Sequence, residues 1–163
     1  MKTKKLTVMA LTTALAMILS FVESQIPAFV AVPGVKMGLA NIAVVFALYK
    51  LGWKEAVAVS LVRVVLVSML FGSIASLFYS LAGAVLSLAG MGLLKKSGRF
   101  TEIVVSVAGG ILHNIGQIAM ASIILETDAL RYYLPFLLLS GIVAGVVIGV
   151  VSAIMVRRIR IRI

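Results

Sequence analysis

The sequence predicts an all-α polytopic membrane protein, a bundle of six transmembrane helices. Hydrophobic residues make up 63% of the 163-residue chain and charged residues only 12%, and the mean hydropathy is +1.22. An ordinary soluble domain carries roughly 25% charged residues, and a domain of this length could not hide so much apolar surface from water. We therefore expect lipid to be the main solvent of one integral membrane domain, residues 1–163.

The uncharged runs of the sequence locate six helices. The first run begins at Leu6 and ends before Pro27. The uncharged stretch 64–94 would be about 46 Å long as one helix, which exceeds the bilayer, so the chain must turn near Gly72. Pro135 falls in the first turn of the last helix, where its missing N–H costs little. The predicted helices are 6–26, 37–51, 53–71, 74–94, 103–125 and 133–156.

The second helix is the doubtful span, since only 13 residues separate Lys36 from Lys50 and so short a run can also be re-entrant or interfacial. If it spans, twelve of the fifteen Lys and Arg residues share the side of the amino terminus; if it does not, four lie there and ten lie opposite. The positive-inside rule favours the first arrangement. The twelve are Lys2, Lys4, Lys5, Lys50, Lys54, Lys95, Lys96, Arg99, Arg157, Arg158, Arg160 and Arg162. We therefore predict six spans in the cell membrane with both termini cytoplasmic.

Composition also argues against several function classes. A net charge of +10 would suggest nucleic acid in a soluble protein, but here it records orientation, so no nucleic-acid partner is expected. With no cysteine and one histidine, no metal site or cofactor is expected. The single aspartate, Asp128, cannot form the paired clusters that hold magnesium against a diphosphate, and no phosphate-binding GxxxxGK[ST] motif occurs. The sequence therefore predicts binding rather than catalysis.

Polar residues at membrane depth are the informative ones, because burying them without partners is costly. Arg63 lies about ten residues into the third helix, where it either faces a ligand cavity or stabilises the bundle by snorkelling or by pairing with a carbonyl. His113, Asn114 and Gln117 are spaced to share one face of the fifth helix. That face either binds a ligand or forms hydrogen bonds between helices.

The connection between the first two helices contains Glu23, Pro33, Gly34 and Lys36. Prolines and a glycine are typical of a shaped loop. It is either a rigid connector or a lid over a cavity that opens outward, with Glu23 and Lys36 at the rim.

Small residues mark two surfaces of close helix packing. The last helix repeats glycine at four-residue intervals in Gly141, Gly145 and Gly149, which lets another backbone approach, either within the bundle or from a partner. Ala10 and Ala14 repeat the pattern on the first helix.

Three segments together resemble the Gx transporter family, often labelled heptaprenyl diphosphate synthase component I, along essentially the whole chain. They are the segment from Pro33 to Asn41, the helix of Arg63 with its Leu70-Phe71-Gly72 end, and the segment from His113 to Gln117. That family is similar in size and six-helix layout to the substrate-binding S components of energy-coupling factor (ECF) transporters.

The resemblance implies an S-component-like subunit that binds a small, vitamin-like or isoprenoid-related solute. Its partners would be membrane lipid, a transmembrane coupling subunit and ATPase subunits, with Ala10 and Ala14 packing on the coupling subunit. Substrate sites of S components lie in the outer half, which places Lys36, Asn41 and Arg63 near the solute. The expected substrate-binding set is Glu23, Lys36, Asn41, Arg63, His113, Asn114 and Gln117. The alternative is a non-catalytic membrane partner of a prenyl diphosphate synthase, held through the basic cytoplasmic edge.

Overall fold

A computed structural model of the chain describes residues 2–25, 38–127 and 129–159. These ranges contain six α-helices and no strand, which confirms the all-α fold class. The helix ends lie within about four residues of the predicted ones wherever both are described. The helices are α1 (Lys2–Gln25), α2 (Asn41–Lys50), α3 (Trp53–Phe71), α4 (Ile74–Ser97), α5 (Glu102–Ile124) and α6 (Leu134–Arg158), and a short 3-10 helix (Ala129–Tyr133) precedes α6.

Local chemistry sets the ends of these helices. The Ser73 hydroxyl accepts the Ser76 N–H at 3.1 Å and so caps the start of α4 directly after the predicted turn. Gly98 ends the same helix with a φ of +68°, a conformation that favours glycine. Thr101 caps α5 by accepting the Val104 N–H at 3.4 Å, and Pro135 lies in the first turn of α6.

Four helices, α1, α4, α5 and α6, are long and apolar enough to cross a membrane, which makes the chain a membrane protein. Within residues 2–25, 38–127 and 129–159, the prediction of six spans is therefore supported for these four helices and not for α2 or α3. α2 has ten residues and measures about 15 Å, half of the hydrocarbon core. α3 has 19 residues and carries the charged side chains of Lys54, Glu55 and Arg63, which lower its hydropathy.

The short helix α2 begins inside the bundle. It runs to the end of the bundle that carries Lys50, Lys54, Lys95 and Lys96, which we call the basic end. Asn41, its first residue, is buried, and so is Ala40 before it. The Ser152 hydroxyl of α6 donates to the Ile42 carbonyl at 3.3 Å, and at the other end of α2 the Lys95 ammonium of α4 donates to the Leu48 carbonyl. The amino-terminal end of α2 therefore lies within the protein rather than at its surface.

The glycine stripe of α6 packs within the bundle, against α5. A Cβ atom added to Gly145 would lie 2.6 Å from the Val107 Cα, and one added to Gly149 would lie 2.7 Å from the Ile103 Cα. Such approaches require glycine, because no side chain fits between the two backbones. Of the two alternatives for the stripe, packing within the bundle is the one observed.

Helix α1 lies at the edge of the bundle, where it packs against α2 and α3. Its amino-terminal end is tied to the start of α3 by an ion pair between Lys5 and Glu55. Ala10 and Ala14 are exposed on its outer side. The alanine pair is therefore available on the surface of the protein and has no role in the core.

Candidate functional site

A polar cavity lies between α1, α3, α4 and α5. Most of its lining side chains are polar or charged, which is unusual in an otherwise apolar bundle. Its free volume is about 20 Å³, which is room for about one water molecule. The lining residues are Ser20, Glu23, Gly38, Arg63, Val64, Val67, Ser68, Ser80, His113 and Gln117.

Arg63 supplies the positive charge of this cavity. Its side chain is 7% exposed, and Nη1 donates to the Ser20 hydroxyl across a long 3.5 Å contact. Glu23 is the opposite charge that acts on it. Among the residues that the structure describes, the Arg63 Nε has no hydrogen-bond partner. A buried guanidinium donor without an acceptor is costly, so an acceptor group in the cavity would stabilise it.

Glu23 supplies the negative charge and ties α1 to the start of α2. It is buried, and its Oε1 accepts the Gly38 backbone N–H at 2.5 Å. Gly38 has a φ of +89°, and a Cβ there would approach the Asn41 Nδ2 to 3.1 Å. Position 38 therefore requires glycine. The carboxylate lies just before the amino terminus of α2, whose partial positive charge favours an anion.

His113 and Gln117 lie one turn apart on α5 and both reach the cavity. Their side chains are 5% and 0% exposed. Gly83 of α4 makes room for them: a Cβ there would lie 2.8 Å from the His113 carbonyl oxygen and 3.0 Å from the Gln117 Cγ. The close contact of α4 with α5 thus places a neutral hydrogen-bonding amide and an imidazole beside the Arg63 guanidinium.

Asn114 does not share this face, which corrects the prediction that His113, Asn114 and Gln117 lie together. Its Nδ2 donates to the Leu137 carbonyl of α6 at 2.6 Å. Consecutive residues of a helix are separated by about 100°, so Asn114 turns to α6 while His113 turns to α4. Asn114 therefore holds two helices together, one of the two roles the sequence allowed for this face.

A family model described as heptaprenyl diphosphate synthase component I matches residues 12–155. The chain belongs to this family. The match confirms the resemblance that the three sequence segments indicated. No curated protein and no solved structure matches the chain. With its four long apolar helices, this member of the heptaprenyl diphosphate synthase component I family is a membrane protein.

Of the seven residues predicted to bind substrate in this family member, the structure brings four together: Glu23, Arg63, His113 and Gln117. Asn41 is buried next to Gly38 but does not line the cavity. Lys36 lies outside the described residues. Sequence reasoning missed three cavity serines, Ser20, Ser68 and Ser80. Ser20 precedes Glu23 by three residues and thus shares its helix face, which was the available signal. Serines on apolar helices often form hydrogen bonds with their own backbone, so nothing in the sequence marked Ser68 and Ser80 as cavity residues.

Proposed function

We propose that this chain is the substrate-binding subunit of a membrane transporter, similar to the S component of an ECF transporter, and that it takes up a small vitamin-like or isoprenoid-related solute. One observation carries the proposal: a buried arginine, Arg63, faces a polar cavity inside an apolar bundle, and its Nε donor has no acceptor among the residues that the structure describes. Intramembrane charges of this kind mark sites that bind solutes or ions.

The charges of the cavity define the kind of solute. Arg63 and Glu23 contribute one positive and one negative charge, so the cavity is close to neutral. A diphosphate would add negative charges that nothing in the described lining compensates, which is costly at low dielectric. The solute therefore carries at most one anionic group, held at Arg63, with neutral acceptors or donors directed to Gln117 and His113.

The cavity must widen when the solute binds, since it now admits about one water molecule. Its wall is made by four different helices, and Gly38 belongs to the short segment before α2. Lys36 precedes that glycine in the chain and Asn41 follows it. Because both are neighbours of a cavity residue, we keep both as members of the binding set.

Energy for uptake would come from separate ATPase subunits through a transmembrane coupling subunit, and the chain itself would not catalyse a reaction. The exposed Ala10 and Ala14 on α1 are the proposed contact with the coupling subunit, because small residues let two helices approach closely. The chain would lie in the cell membrane with both termini cytoplasmic, as the basic residues at one end of the bundle suggest.

A second function is favoured by the family description itself, which names a component of heptaprenyl diphosphate synthase. The chain would then be a non-catalytic membrane partner of the other synthase components. The exposed cations Lys96, Arg99, Arg157 and Arg158 would hold a soluble enzyme. This role makes no use of the buried Arg63 and Glu23.

Native mass spectrometry of the full chain, purified in mild detergent from the membranes of its host, separates the two functions. We expect a small molecule to remain bound to the wild type, and we expect the fraction of protein that carries it to fall at least about tenfold in Arg63→Gln. Lys96→Gln, which changes a cation outside the cavity, should retain it. If Arg63→Gln loses no molecule and Lys96→Gln instead releases a copurifying synthase component, the partner role is correct and the transporter role is wrong.

A further inference from the structure

A second and larger groove lies at the basic end of the bundle, between the end of α2, the start of α3 and the last turns of α4. Its volume is about 590 Å³, which lies within the usual range for ligand sites. Most of its walls are apolar, and two lysines stand at one end. The lining residues are Leu48, Trp53, Ala89, Gly92, Leu93, Lys95 and Lys96.

The apolar floor of this groove is formed by Trp53 against α4. A Cβ added to Gly92 would overlap the indole ring, so the glycine lets Trp53 pack closely against the helix. Trp53 is 43% exposed and Leu93 is 71% exposed. Because α4 is one of the described helices long and apolar enough to cross a membrane, we expect lipid chains along the open side of the groove.

The positive end of the groove is held in place by hydrogen bonding and packing. The Lys95 ammonium donates to the Leu48 carbonyl and lies 5.1 Å from the centre of the Tyr49 ring. Lys96 follows it and is exposed. Glu55, the acid in the first turn of the neighbouring α3, is already paired with Lys5. Glu102, in the first turn of α5, acts electrostatically on Tyr49, so two lysines stand against one nearby acid. A negative group at this end would therefore still meet a net positive charge, with one of the two cations preorganised.

We infer that this groove binds an anionic phospholipid, with the phosphate at Lys95 and Lys96 and one acyl chain along Trp53, Gly92 and Leu93. A soluble anion would make no use of the apolar floor, and a neutral lipid would make no use of the lysines. A protein segment would have to displace lipid chains from a membrane-spanning face. Basic pockets between transmembrane helices recognise anionic headgroups in this way.

Trp53 allows a direct test, because it is the only tryptophan in the chain. The full chain is reconstituted in phosphatidylcholine vesicles, and phosphatidylcholine or phosphatidylglycerol with brominated acyl chains is titrated in to quench Trp53 fluorescence. We expect phosphatidylglycerol to quench at a mole fraction about tenfold lower than phosphatidylcholine. Lys96→Gln should reduce this preference about fivefold, as expected for one interfacial lysine.

Two further variants keep the test decisive. Lys4→Gln removes an exposed cation on α1 outside the groove and should leave the preference unchanged. Ala89→Phe fills the groove from an exposed position and should reduce quenching by both lipids while the far-ultraviolet circular dichroism stays unchanged.

Three results would overturn the inference. Equal quenching by the two brominated lipids would show that the groove does not select an anionic headgroup. An equal loss of preference in Lys4→Gln and Lys96→Gln would show that the preference for phosphatidylglycerol comes from the overall positive charge of the basic end and not from the groove. Absence of quenching by either lipid would mean that the groove is closed to lipid and available only to another occupant, such as a protein segment.

Discussion

The Glu23 carboxylate accepts a 2.5 Å hydrogen bond from the Gly38 backbone N–H, across fifteen positions of the sequence. This bond joins the last turns of α1 to the segment that enters α2. It also brings the carboxylate into the same cavity as the Arg63 guanidinium, whose charge it opposes. Glu23 thus has two roles: it balances Arg63, and it positions the start of the short helix.

Glu23 and Arg63 should be energetically coupled. Glu23→Gln leaves the Arg63 guanidinium buried without the carboxylate that opposes its charge, and Arg63→Gln removes the cation that attracts Glu23, so both single variants should be destabilising. The double variant removes both charges, so we expect it to unfold more easily than the wild type but less than the sum of the single variants, by about 1–3 kcal/mol. Unfolding in mild detergent followed by circular dichroism measures the cycle. Additive effects would show that the two charges do not interact.

Asn114 should affect stability and not solute binding. Asn114→Ala removes the 2.6 Å hydrogen bond to the Leu137 carbonyl, and we expect a loss of about 1 kcal/mol, typical of bonds between membrane helices. Ser140→Ala is the matched control, because the Ser140 hydroxyl donates to the same carbonyl from within α6 and should cost less. Thermal unfolding measures both variants. Loss of the retained solute in Asn114→Ala would contradict this assignment.

Gly145 should not tolerate even one added methyl group. Gly145→Ala would place Cβ 2.6 Å from the Val107 Cα, and both atoms are fixed by helical backbone, so α5 and α6 must separate. We expect a loss of about 2 kcal/mol, measured by unfolding in detergent. Val143→Ile adds the same methyl group at a position that is 59% exposed and should be nearly neutral. Similar stabilities for the two variants would contradict the close packing.

Ala10 and Ala14 should matter for assembly and not for folding. Both are exposed on α1, so Ala10→Leu combined with Ala14→Leu should leave thermal unfolding almost unchanged. If the proposed coupling subunit packs there, the double variant should no longer copurify with it and with the ATPase subunits, whereas Val147→Leu, at a position on α6 that is 55% exposed, should retain them. Copurification that survives in the double variant would exclude this surface as the contact.

The helices could be predicted from sequence because their signals are local. The uncharged runs, the turn near Gly72 and Pro135 in the first turn of α6 are each read from a few neighbouring residues. The Ser73 and Thr101 caps and Gly98 after α4, which the structure shows, also act within one turn of the chain. The cavity could be predicted only in part. His113, Asn114 and Gln117 differ in direction by fractions of a turn, and their neighbours depend on how α5 is rotated against α4 and α6.

The sequence by itself determined the solvent of this protein, its all-helical class, the approximate helix ends and the polar residues placed at depth. Tertiary structure decided that α2 begins inside the bundle, that the α6 glycines pack on α5, and that Glu23, Arg63, His113 and Gln117 share a cavity from which Asn114 turns away. The division has a physical reason. Hydropathy and capping act over a few neighbouring residues, whereas a buried side chain takes its partners from helices that lie far away in the sequence.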